Sequence, residues 1–261
     1  MSQVRIAFVG QCLVHGYPGV PRSATYPEIV RHHLERERPG LRVRIVAEPF
    51  YHPAELRAVV GRLLRSAGSD LIVIDVAGWL AANGPAAVDL SRLPKGLRGA
   101  YDRVRHLRAV SYGLISRWPS AAGMVTLVQT GGRALVDGPL QLLARRYPKA
   151  SLEEYERLLE ETIALIARQP GCNLVLQGPS AFNTAETNPA CAPDSLAIYR
   201  AVNELARRLA AAHGVAFIDR MALIGGADGE MFLPGSIRLS SAGHRVTGHA
   251  VAETLLRAGL I

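Results

Sequence analysis

Cysteine is scarce in this chain: three residues in 261, Cys12, Cys172 and Cys191, an odd number at wide spacings. No CxxC pair and no Cys/His cluster with zinc spacing occurs, so neither a disulfide framework nor a structural zinc module organises the fold. The thiols are expected to be reduced. Long apolar runs are missing as well. None approaches the roughly 20 residues that a helix needs to cross a bilayer, and no membrane association is expected. The first ten residues lack a basic region, a long apolar stretch and a small-residue cleavage site, which leads us to expect a cytoplasmic protein. Aromatic residues make up 6% of the chain and few interleave with the basic ones. With no recognisable binding motif either, nucleic acid is not expected as a partner. No cofactor or metal-ligand motif is found, and neither group is expected. Internal repeats and low-complexity tails are absent.

What the chain does have is an ordinary globular balance, 49% hydrophobic and 20% charged, with a formal net charge of +8 carried mainly by arginine. The excess fits solvated helix faces; its functional reading is attraction for an anionic partner. The length suits one large domain with a continuous core, or two small ones. Along it, apolar strand-like segments alternate with helix-like ones. Val4–Val9, Leu41–Ala47, Leu71–Ile74, Leu174–Leu176 and Val215–Asp219 read as strands. Leu71–Ile74 is apolar without alternation, as expected for a strand covered on both faces. Between them, Pro27 opens a charged helix to about Arg38, and Leu56, Val59, Val60, Leu63 and Leu64 mark a helix from Ala54 to Ser66. Ser151 with Glu154 has the spacing of a capping box before a helix to Ala167 whose apolar face includes Leu152, Tyr155, Leu158, Leu159, Ile163 and Ile166. Further helices are expected over Asp194–Ala212 and Ser241–Leu256. This order implies a three-layer α/β/α domain around a parallel sheet of about five strands, with the site beyond the C-terminal strand ends. Residues 80–150, rich in Gly, Pro and Arg, break the alternation. They are read as an insertion capping the active-site edge, the alternative being a surface excursion without a role.

The two ends of the chain carry a resemblance. Phe8-Val9-Gly10-Gln11-Cys12-Leu13 stands where the SGNH (GDSL) hydrolases have a strand followed by Gly-Asp-Ser. Leu233-Pro234-Gly235-Ser236-Ile237-Arg238-Leu239-Ser240-Ser241-Ala242-Gly243-His244 is similar to their closing Asp-x-x-His, Leu-Ser and Ala-Gly-His. Leu176–Asn183 resembles the loop after their fourth strand, and Ala206–Asp219 their penultimate helix–strand unit. The resemblance covers most of the chain outside the insertion and implies a single domain over residues 1–261. It also implies that the family's chemistry has been replaced. Its nucleophilic Ser falls on Cys12 and the Asp before it on Gln11; its oxyanion-hole Gly falls near Tyr51-His52 and its Asn near Trp79. Its last Asp and His fall on Gly235 and Arg238.

Two readings of Cys12 stand: a thiolate nucleophile, or a small residue filling a Ser-sized gap. A thiol needs activation. Arg238 cannot act as a base, because guanidinium stays protonated, but it can clamp a carboxylate or phosphate. His52 is the candidate base and His15, three residues from Cys12, is a second. Gln11, His15, Trp79, Asn183 and Arg238 are candidate substrate contacts, and His244 is expected to cap or pack the final helix. The first functional expectation is a cysteine-dependent acyl-transfer enzyme, a hydrolase, thioesterase, acyltransferase or cyclase. Its substrate would be a small acylated molecule, anionic or on an acidic carrier protein. The alternatives are a catalytically silent domain that binds a ligand, and a scaffold for non-covalent cyclisation or elimination.

Overall fold

The structure is a computed structural model that describes residues 2–17, 20–50, 53–66, 68–76, 151–180, 195–224, 229–233 and 238–261. Five strands, β1 (Ser2–Gly10), β2 (Leu41–Pro49), β3 (Leu71–Asp75), β4 (Asn173–Gln177) and β5 (Ala216–Ile218), form one sheet in the order β2-β1-β3-β4-β5. Every pairing is parallel. All five strands read from the sequence are present. The capping role expected of residues 80–150 falls outside the described residues.

Alternate residues of the central strands enter two separate cores, which is why their sequences show no polar alternation. Ile6, Phe8, Leu71, Val73 and Val175 belong to one core. It is closed by α1 (Tyr26–Glu37), the short α5 (Arg220–Ile224) and α6 (Ser241–Arg257). Ala7, Val9, Ile72, Ile74, Leu174 and Leu176 face the other. There α2 (Pro53–Ser66), α3 (Leu152–Ala167) and α4 (Ser195–Ala212) supply Leu56, Val60, Tyr155, Leu159, Val202 and Leu209. Two layers of helix around a parallel sheet give the three-layer architecture.

The helix boundaries follow local chemistry. Ser151 caps α3, its hydroxyl accepting from the Glu154 N–H at 3.1 Å. Leu152 is 37% exposed, contrary to its expected place on the apolar face, and the buried stripe of α3 begins at Tyr155. Thr162 takes a buried place instead by donating its hydroxyl to the Leu158 carbonyl at 2.7 Å. Beyond α4, Gly214 adopts φ +63°, the left-handed turn that stops the helix.

Candidate active site

In this strand order β1 leads to β2 on one side, while β3 and its successors lie on the other. The order therefore reverses between β1 and β3, and in open α/β sheets ligands bind beyond the strand C-termini at such a reversal. Gly10 ends β1, and Cys12 opens a single 3₁₀ turn, Cys12–Val14, closed by the Val14 N–H donating to the Gln11 carbonyl at 3.1 Å. Gly10 is needed there. A Cβ on it would lie 2.8 Å from Val14 Cγ1 and 3.0 Å from Asp75 Cβ. Only a residue without a side chain lets the turn fold back over the end of β3.

Beneath the turn lies a polar floor. Asp75, the last residue of β3, is 2% exposed, and Arg220, the first of α5, is 1% exposed. The guanidinium grips the carboxylate with both terminal nitrogens, one at 3.2 Å and the other closer. Burial pushes the Asp75 carboxyl upward from its ordinary value, and Arg220 opposes that shift. Gln177 pairs with Asp75 in the ladder and is fully buried. The nearby Tyr26 phenol is held well above its usual pKa by burial and by Asp75, so it stays protonated.

A second network ties the two ends of the chain together. The backbone N–H of Tyr26, in the first turn of α1, donates to His244 Nδ1 at 3.1 Å. With Nδ1 accepting, the proton sits on Nε2, which donates to the Tyr17 hydroxyl at 2.8 Å, and that hydroxyl donates to the Leu239 carbonyl at 2.5 Å. The donors and acceptors of these three bonds are matched only while His244 is neutral. Burial, reinforced by Arg220, lowers its pKa to about 3. His244 therefore packs the start of the final helix, as expected. It also satisfies an orphan N–H at the start of a different helix, α1, whose N-cap Thr25 makes no side-chain cap bond. The face of the Tyr17 ring carries the guanidinium of Arg238, 5.5 Å from its centroid.

The sequence-derived candidates are placed as follows. Gln11 and His15 flank the 3₁₀ turn and are half-buried. Arg238 is exposed and stands over Tyr17, so Tyr17 joins the segment that follows Cys12 to the segment that carries Arg238. Cys12 is described in its backbone alone; its side chain, together with His52, Trp79 and Asn183, lies outside the described residues. The floor residues were not singled out from the sequence. Asp75 had a signal, a lone carboxylate ending an apolar strand. Arg220 and Tyr17 had none, since their partners are 145 and 222 residues away in the chain. Among the described residues no three His, Cys, Asp or Glu side chains converge on a metal position, and no helix is long and apolar enough to cross a membrane.

Several solved structures share this fold over almost their whole length. A lipase/acylhydrolase from Enterococcus faecalis matches with a TM-score of 0.59 at 13% identity, covering 98% of this chain and 96% of that one. TesA matches at 0.57 and 16% identity, with coverages of 98% and 99%. A carbohydrate acetylesterase family member from Sinorhizobium meliloti matches at 0.57 and 12%, with the same coverages. No family model and no curated protein matches the sequence. The likeness is one of fold: the chain has the architecture of the GDSL-type lipases and acylhydrolases, as its two ends suggested.

Proposed function

We propose that this protein is a hydrolase-type acyl-transfer enzyme in which Cys12 is the nucleophile. The observation that carries the proposal is the place of Cys12 in the chain trace: it opens the turn directly after β1, at the reversal of strand order, in a fold shared with lipases, acylhydrolases and an acetylesterase. A thiol there attacks an acyl carbonyl as thiolate, forms a thioester with the enzyme and releases the alcohol, thiol or amine portion; water or a second acceptor then takes the acyl group. His52, or His15, is the base proposed to take the thiol proton. Arg238 is proposed to hold an anionic group of the substrate, a carboxylate or phosphate on a small molecule or an acidic carrier protein, which suits the net charge of +8.

Thiol reactivity tests this without knowledge of the substrate. Cys12 should react with iodoacetamide faster than Cys172, whose thiol burial and then Asp70 push up to about 11. Across a panel of acyl esters and thioesters, Cys12→Ala should abolish turnover while leaving the circular dichroism spectrum unchanged. Cys12→Ser should also be poor, because in the resemblance the SGNH His falls on Arg238, and a guanidinium cannot deprotonate an alcohol. A fully active Cys12→Ala protein removes the covalent mechanism.

A second reading, ligand binding without turnover, is favoured by the fate of the titratable groups around the site. His244 is locked neutral inside the fold, and Arg238 offers charge but no base. Under that reading Arg238→Ala still weakens an anionic ligand, by about 1–3 kcal/mol, the scale of a lost charge-assisted hydrogen bond.

A further inference from the structure

Away from the site, α1 and α6 run side by side in the same direction on one face of the sheet. Tyr26 meets His244, Ile29 meets Gly248, and His33 meets His249. Gly248 lets the helices close: a Cβ there would lie 2.6 Å from Ile29 Cγ2 and 3.1 Å from the Tyr26 carbonyl oxygen. On the half-buried surface just beyond, the imidazoles of His33 and His249 face each other with their Nδ1 atoms 2.9 Å apart and their rings crossed at 70°. At that separation one nitrogen donates and the other accepts, so the two share a single proton. Once it leaves, two lone pairs from two different helices converge on one point.

We propose that His33 and His249 form a transition-metal site, in which a zinc-like divalent cation replaces the shared proton and clips α1 to α6. Zinc–imidazole bonds are about 2.0–2.1 Å long, so a tetrahedral pair sets the nitrogens roughly 3.3 Å apart. The observed spacing needs to widen by only about 0.4 Å, a small change in side-chain torsion. Crossed rings suit two ligands on one ion. No third His, Cys, Asp or Glu converges there among the described residues, so two waters complete a tetrahedral shell, one protein ligand fewer than an open zinc site has.

The surrounding charges are mixed. Arg36 approaches His33 Nδ1 at 3.4 Å and opposes a cation, but it is exposed and already paired with Glu37 at 3.1 Å, so it can swing outward. Glu37 on α1 and Glu253 on α6, each four residues beyond its histidine, bring negative charge to bear on His33. Burial first, then His249 and Arg36, hold the His33 pKa below its ordinary value, which keeps the ring in the unprotonated form that binds metal. Imidazole nitrogen suits zinc, copper and nickel, whereas magnesium takes oxygen ligands, so the site should discriminate.

Calorimetric titration of the full chain with zinc chloride near neutral pH, with magnesium chloride as control, tests the proposal. One zinc per chain should be lost in both His33→Gln and His249→Gln. Affinity should fall by at least about tenfold, since removing a ligand costs no less than removing an outer-shell partner. The exposed His32→Ala should bind as the parent does. Zinc should raise the unfolding temperature of the parent and not of either Gln variant. Circular dichroism of the variants establishes that they fold. Zinc held by a thiol elsewhere persists in all variants, so the difference between parent and variant is the readout. Loss in one histidine variant only, unchanged binding in both, or no zinc binding by the parent overturns the site.

Discussion

At the scale of single residues, His244 shows how tertiary placement converts a titratable group into a structural one. Its Nδ1 must accept from the Tyr26 N–H, and a second proton on the ring has nowhere to go. The folded pKa of about 3 lies below the ordinary 6.5, so between those values the unfolded chain binds a proton that the folded one refuses. The resulting stability is complete above about pH 6.5 and is lost progressively as the pH falls towards 3. At about pH 5 this residue should cost the fold roughly 2 kcal/mol relative to neutral pH. His244→Gln should be less stable than the parent at neutral pH by about 1–3 kcal/mol, through its lost hydrogen bonds. It should also show a shallower decline with acid. Urea unfolding of both proteins at about pH 7 and pH 5 measures the difference, and equal acid slopes would refute the role.

At the scale of elements, end groups add to what the buried apolar faces of the helices supply. Ser151 and Ser240 both act as N-caps, accepting from the N–H of Glu154 and of Gly243 at 3.1 and 3.2 Å. They differ in what else they do. Ser151 caps α3 at an exposed end, whereas the Ser240 hydroxyl also donates to the Glu230 carbonyl and so joins α6 to the preceding 3₁₀ turn, Gly229–Met231. Ser151→Ala should therefore cost about 1 kcal/mol, the usual value of a cap. Ser240→Ala should cost more, since it also loses the bond to the Glu230 carbonyl. Denaturant midpoints of the two variants compare them directly; equal losses would show that the second bond of Ser240 contributes nothing.

For the molecule as a whole, the Asp75–Arg220 pair is the joint between its halves. Asp75 ends β3, Arg220 follows β5, and Gly10 of β1 rests on the carboxylate-bearing residue. Two charges this deeply buried repay their desolvation only as a pair. Arg220→Met should cost about 3–5 kcal/mol by leaving the carboxylate alone, and the double variant Asp75→Leu/Arg220→Met should recover most of that loss. A double-mutant cycle by denaturation reads the coupling. Strictly additive single losses would mean that the two side chains do not act as a unit.

Much of this architecture was legible in one dimension. Parallel strands covered on both faces are apolar throughout, helices repeat every three to four residues, and Ser, Gly and Pro mark their ends; these are local signals, carried by neighbouring residues. The candidate site was legible to the extent that it lies at a strand end: Gly10, Gln11 and Cys12 follow directly from the position of β1. Its floor was not. Asp75 meets Arg220, Tyr17 meets His244, and His33 meets His249 across 145, 227 and 216 residues, and nothing in the local sequence of either partner specifies the other. Buried polar groups must find partners wherever the packed elements bring them, so pairing is a property of the assembled sheet and helices. Sequence alone determined which segments are strands and helices and that Gln11 and Cys12 follow directly on the first strand. Tertiary packing decided that His244 is a neutral strut and that Asp75 and Arg220 form the floor, because desolvation sets the protonation and the partners of buried groups, and desolvation exists only once the layers close.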